Sequence, residues 1–198
     1  DPDRTPPSTW SGFSLGDASW HVEYLGESLP TASKPAWSVP VGYTESLGSA
    51  GGGVLRVNDN SASAKAMWVR NWDATNTRGG TVLFRAKCQS FDLNGGSISN
   101  LNNLIVEDGK YQLRLAVLPD RIRNVQSGEE YLVSGPSEWH TYRVTTKGSS
   151  YQVFMDEAAV PVLSGLLTET TNRARVWFGS SSTQSLQDIS FDFVQCCS

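Results

Sequence analysis

The feature that most constrains this chain is an alternation of apolar and mixed residues with a period of two. It recurs in residues 81–87, 111–117, 139–145, 151–155, 173–178 and 189–194. Successive side chains of a strand point to opposite faces, so this period specifies strands, each with one buried face. In the first segment Val82, Phe84 and Ala86 oppose Thr81, Leu83, Arg85 and Lys87. The same logic sets Leu113, Leu115 and Val117 against Gln112, Arg114 and Ala116. Tyr142 and Val144 oppose Thr141 and Arg143, and Val153 opposes Gln152 and Phe154. Val176 and Phe178 oppose Arg175 and Trp177, while Phe191 and Phe193 oppose Ser190 and Asp192. The expected core between two sheets is therefore Val82, Phe84, Leu113, Leu115, Tyr142, Val144, Val153, Val176, Phe178, Phe191 and Phe193.

Turn signals separate the segments. Asp108-Gly109 is a strong hairpin signal before residues 111–117, and Lys147-Gly148-Ser149 joins the next pair. Pro119-Asp120, Gly128 and Gly135-Pro136 punctuate the middle. Residues 20–25, 54–57 and 65–71 also read as strands. Residues 61–72 are ambiguous, because Trp68 and Trp72 lie four apart as on a short helix, but Met67, Trp68 and Val69 favour strand. The long segments free of Gly and Pro that βαβ crossovers require are missing, which disfavours an α/β fold. The expected fold is all-β, a two-sheet antiparallel jelly-roll sandwich, formed by one domain over residues 1–198 with an irregular lead-in over 1–9.

Composition narrows the function classes. Sixteen Lys and Arg against twenty Asp and Glu give a formal net charge of −4, the wrong sign for a dedicated nucleic-acid binder. No apolar run approaches the ~18 residues that span a bilayer. Three cysteines without C-x-x-C spacing, and two histidines, make a zinc site improbable. The cysteines are either free thiols, or a bridge from Cys88 to Cys196 or Cys197, or a bond between the adjacent pair. Neither a P-loop nor a G-x-S-x-G nucleophile motif is present.

The order of motifs is more specific. Glu107-Asp108-Gly109-Lys110-Tyr111 leads to Leu118-Pro119-Asp120-Arg121-Ile122 and to Glu138-Trp139-His140-Thr141-Tyr142. Tyr151-Gln152-Val153-Phe154-Met155-Asp156, Val176-Trp177-Phe178-Gly179 and Asp188-Ile189-Ser190-Phe191-Asp192-Phe193-Val194 follow. This resembles the concanavalin A-like lectin/glucanase superfamily in its laminin G-like form. Glu157 stands where that pattern has the glycine of a turn. The resemblance implies two antiparallel sheets, one bent so that its outer face forms a groove for glycans. It implies a glycan or polysaccharide partner and an extracellular, periplasmic or cell-surface location.

Several activities occur on such a fold, and the residues weigh them. A retaining glycosidase needs two carboxyl groups ~5–5.5 Å apart, which the superfamily's hydrolases supply from one strand as E-x-D-x-E. No E-x-D triplet occurs here, and the pairs Glu129-Glu130 and Asp156-Glu157 are adjacent, so on a strand they would face opposite ways. The R-x-E-x-R, Q-x-H and Y-x-x-G-x-Y strands of the jelly-roll alginate lyases are also missing. The catalytic residues are not fixed by the sequence; His140 and Tyr142 are the candidates for a base. Arg85, Gln112, Arg114 and Arg143 share outward parity and form the candidate binding set, with Phe154 and Trp177 as stacking platforms. Arginine presents a planar fork that matches carboxylate or sulfate. The resemblance further implies a structural Ca²⁺, for which Asp17, Asp188 and Asp192 are the candidate ligands. The leading expectation is a lectin-like domain for acidic polysaccharide. The alternatives are a polysaccharide-degrading enzyme, a lyase before a hydrolase, or an adhesion module with no sugar site.

Overall fold

A computed structural model describes residues 9–10, 13–14, 20–60, 63–135, 137–182 and 185–198. Among the described residues sixteen strands form, all paired antiparallel. The first two, β1 (Thr9–Trp10) and β2 (Phe13–Ser14), pair only with each other. The next group is β3 (Val22–Tyr24), β4 (Gly48–Gly51), β5 (Val54–Asp59), β6 (Ala66–Asn71) and β7 (Gly80–Asp92). Then come β8 (Leu104–Asp108), β9 (Gln112–Leu118), β10 (Arg121–Asn124), β11 (Glu130–Leu132), β12 (His140–Lys147) and β13 (Ser150–Met155). The last three are β14 (Leu163–Leu166), β15 (Ala174–Ser180) and β16 (Leu186–Cys197). Residues 66–71 are thus a strand, as Met67-Trp68-Val69 favoured.

Two sheets make the sandwich. The six-stranded sheet runs β11-β10-β9-β8-β15-β6. The eight-stranded sheet runs β14-β13-β12-β7-β16-β5-β4, with β3 also paired to β16. This is the all-β jelly roll that the alternation predicts. The hairpins sit at their turn signals: Glu107 pairs with Gln112 around Gly109, at φ +88°, and Lys147 pairs with Ser150 around Gly148, at φ +61°. Glu157 adopts φ +62°, so the turn keeps a glycine-like conformation without the glycine.

The inner faces of both sheets merge into one core. Phe178 of β15 lies at its centre, with its ring 4.8 Å from Trp37, 5.2 Å from Tyr24, 5.3 Å from Phe191 and 5.8 Å from Trp68. All eleven residues expected in the core are buried, but Phe193 is on the wrong side. The pairing of β16 with β7 shifts between Phe191, opposite Ala86, and Phe193, opposite Arg85. Asp192 is the extra residue of this bulge, and an extra residue reverses the parity of everything after it. Val194 and Cys196 therefore join the main core, while Phe193 packs outward with Leu83 and Trp20.

The register also excludes the expected bridge. Cys88 pairs near Ile189, whereas Cys196 and Cys197 pair with Val82 and Thr81. Six or seven residues of strand make about 20 Å or more at ~3.3 Å each. A disulfide needs Cα atoms within about 7 Å. All three cysteines are free and buried.

Candidate functional site

The sandwich sorts the expected binding residues into two groups. Gln112 and Arg114 of β9 and Trp177 of β15 lie on the six-stranded sheet. Arg85 of β7, Arg143 of β12 and Phe154 of β13 lie on the eight-stranded sheet. Each side chain points outward, as its parity requires, and the outer faces of a sandwich look in opposite directions. One surface carrying all four polar residues therefore does not exist.

On the six-stranded sheet the groups are committed to one another. Arg114 donates to Glu169 at 2.8 Å. Glu107, nearly buried, accepts from Arg175 Nε at 2.7 Å, Trp177 Nε1 at 2.8 Å and Thr171 Oγ1 at 3.1 Å. The Arg175 guanidinium lies 4.5 Å over the Trp177 ring and covers one of its faces. Trp72 is buried and donates to the Glu107 carbonyl at 2.7 Å. This face is a tied network rather than an open platform.

The eight-stranded sheet offers a different surface. Arg143 pairs directly with Phe154 across the β12–β13 hairpin, and its guanidinium stacks 3.8 Å over that ring. Burial lowers the pKa of the Arg143 guanidinium, yet it stays charged because arginine starts so high. Arg85 sits opposite Thr141 while Arg143 sits opposite Leu83, so the two arginines are diagonal neighbours. Such neighbours lie roughly 7–8 Å apart. Arg85 donates to Asp192 of the bulge at 2.9 Å and lies 5.4 Å over the Trp139 ring. Beside Arg143 opens a pocket of about 470 Å³ lined by Arg78, Thr81, Thr145, Lys147, Gln152 and Phe154, among others. Its described lining residues include three bases and no carboxylate.

The catalytic candidates do not reach this surface. Tyr142 is sealed in the core against Phe84, and burial raises its phenol well above the usual value. His140 shares that inward face and is buried. Its Nδ1 donates to Asp156 at 2.6 Å, which helps hold the turn after β13. The Ca²⁺ candidates do not fit a cation either. Asp188 is held by both ends of the Arg56 fork and Asp192 by Arg85, so arginine charge occupies both carboxylates. Asp17 lies outside the described residues. No cluster of three His, Cys, Asp or Glu suited to a metal occurs among the described residues.

Arg78, Lys147, Gln152 and Trp139 are the surface residues that sequence reasoning left unassigned. The outward parity of Gln152 and the tight turn at Gly148 were visible in the sequence. Arg78 lies in the turn before β7 and Lys147 at the end of β12, where alternation carries no signal.

No family model and no curated protein matches the chain by sequence. Solved structures match its shape. A glycosyl hydrolase family 16 protein from Mycobacterium smegmatis aligns with a TM-score of 0.53 and 12% identity, over 90% of this chain and 100% of the other. The binding domain of botulinum neurotoxin serotype G aligns with 0.53 and 11%, over 84% and 44%. A sialidase aligns with 0.55 and 14%, over 82% and 17%. At these identities the likeness is one of fold, the concanavalin A-like jelly roll.

Proposed function

We propose that the chain is a carbohydrate-binding domain for acidic polysaccharide, and that it binds on the outer face of the eight-stranded sheet. The observation that carries this reading is the pocket lined by Arg78, Arg143, Lys147 and Phe154, with no carboxylate among its described lining residues. Arginine forks suit carboxylate and sulfate. Thr81, Thr145 and Gln152 supply hydrogen-bonding groups for hydroxyls. Arg143 and Lys147, joined by Arg78, which also lies 4.0 Å from Asp73, concentrate positive potential in one concavity on a protein of net charge −4. Two of the neighbours in fold are named for glycoside chemistry, which supports the reading by analogy alone. Glycoside cleavage needs paired carboxyl groups, which the described lining lacks, so the reading is binding rather than hydrolysis. It carries with it an extracellular, periplasmic or cell-surface location, where such polymers are met.

A glycan array, followed by calorimetry at two salt concentrations, tests it. Uronate and sulfated glycans should bind, more weakly as salt rises, because an open site is screened over ~8–10 Å. An absorbance assay on the same polymers should show no new unsaturation. Equal binding of neutral and acidic glycans would overturn the proposal.

A further inference from the structure

The pocket does not end at Gln152. A second cavity of about 350 Å³ adjoins it and shares Thr145, Thr146, Lys147 and Gln152 with it. Together they make a groove that crosses β7, β12, β13 and β14. Three strand spacings of ~4.8 Å give a length of about 14 Å. That exceeds one sugar ring and accommodates at least two in succession.

The two lobes differ in charge. The first holds Arg78 and Arg143, and Lys147 sits where the lobes meet. Beyond Lys147 the second lobe is uncharged, with Ser150, Ser164, Gly165 and Leu166. Leu166 is 68% exposed and offers an apolar patch for the C–H face of a sugar. Behind this lobe, on the inner side of the sheet with Tyr151, lies an acid. The Glu129 carboxylate comes 3.3 Å from the point where a side chain on Gly165 would begin. It accepts from Tyr151 Oη at 2.6 Å and Ser127 Oγ at 3.1 Å, and has no salt-bridge partner among the described residues. An anion in the second lobe would lose water without gaining a second cation and would sit across the sheet from a like charge. Both effects are unfavourable. A neutral ring meets neither penalty.

We infer that the groove reads two successive sugars of unlike charge, an acidic unit in the lobe of Arg143 and a neutral unit in the lobe of Ser164 and Leu166. The ligand class is a heteropolysaccharide in which acidic and neutral sugars alternate. This rests on the glycan reading above and sharpens it.

The test is calorimetric titration of the full chain with tetrasaccharides of matched length. Hyaluronan- and chondroitin-derived probes alternate charged and neutral units, whereas alginate- and galacturonan-derived probes carry a charge on every unit. The best alternating probe should bind about tenfold or more tighter than the best homouronate. Ser164→Asp should weaken the alternating tetrasaccharide by about tenfold and leave a uronate monosaccharide unchanged. Glu129→Gln should narrow the gap by improving the homouronate. Homouronates that bind as tightly as alternating probes, or a Ser164→Asp variant that binds like the parent, would overturn the inference while leaving the glycan reading standing. Failure of every acidic probe to bind would overturn both.

Discussion

Truncating Phe178 to alanine should nearly exhaust the stability of the sandwich. The ring is fully buried and touches four aromatic rings, two of them, Tyr24 and Phe191, from strands of the opposite sheet. Removing a buried phenylalanine side chain costs about 3–5 kcal/mol, since the cavity only partly collapses. Aromatic pairs add roughly 0.5–1.5 kcal/mol each beyond their area, which puts this site near the top of the range, about 5 kcal/mol. Domains of ordinary stability have only about 5–15 kcal/mol in total. Phe178→Leu keeps most of the volume and should cost about 1–2 kcal/mol, so it remains measurable if the alanine variant fails to fold. Urea unfolding, followed by near-ultraviolet circular dichroism, should show a lower midpoint at an unchanged slope. Leu166→Ala, on an exposed edge, is the control and should stay within about 0.5 kcal/mol. A loss below about 2 kcal/mol for Phe178→Ala, or an equal loss for Leu166→Ala, would refute the placement of the core.

Three further outcomes follow from the same geometry. Thiol titration of the denatured, unreduced protein should find all three cysteines free. In the native state they should react slowly, because burial raises their pKa values, that of Cys88 to about 12; finding one free thiol would restore a bridge. Hydrogen bonds from Arg121 to Asp120, and from Arg123 and Arg121 to Glu130, hold both carboxyls below their usual range. Groups with depressed folded values stabilise above their unfolded pKa of about 4 and lose that contribution as pH falls through the folded value. Glu130→Gln should therefore be less stable than the parent at neutral pH and level with it in strong acid; a gap that persists or grows in acid would contradict the network. Arg114→Ala should leave acidic-glycan affinity unchanged, whereas Arg143→Gln should lower it about tenfold, near 1.4 kcal/mol, in a calorimetric titration.

The alternation made the strands and their facing legible, but not the sheet to which each strand belongs. Arg85 and Arg114 point outward with the same parity, yet β7 and β9 stand in different sheets, so the two arginines look opposite ways. Period two describes a side chain relative to its own strand only. The bulge at Asp192 was hidden for another reason. Strand β16 is central and buried on both faces, so Phe193, Val194 and Cys196 read as apolar whichever way they point. Trp177 points outward as its parity requires, but its role on the surface depends on Glu107, which arrives from the neighbouring strand β8, and on the stacking of Arg175 from its own strand. The basic pocket was half visible: Arg143 and Phe154 were expected, and the hairpin at Gly148 places them directly opposite each other. Lys147, the last residue of β12, and Arg78, in the turn before β7, complete it where no periodicity points.

Amide chemical-shift mapping of the isotope-labelled protein, titrated with an acidic oligosaccharide, tests the site most directly. Shifts should cluster at residues 78–81, 143–147, 152–154 and 164–166, on the outer face of the eight-stranded sheet. Residues 112–114 and 175–177 should stay still. Shifts centred on those residues instead, on the outer face of the six-stranded sheet, would contradict the account.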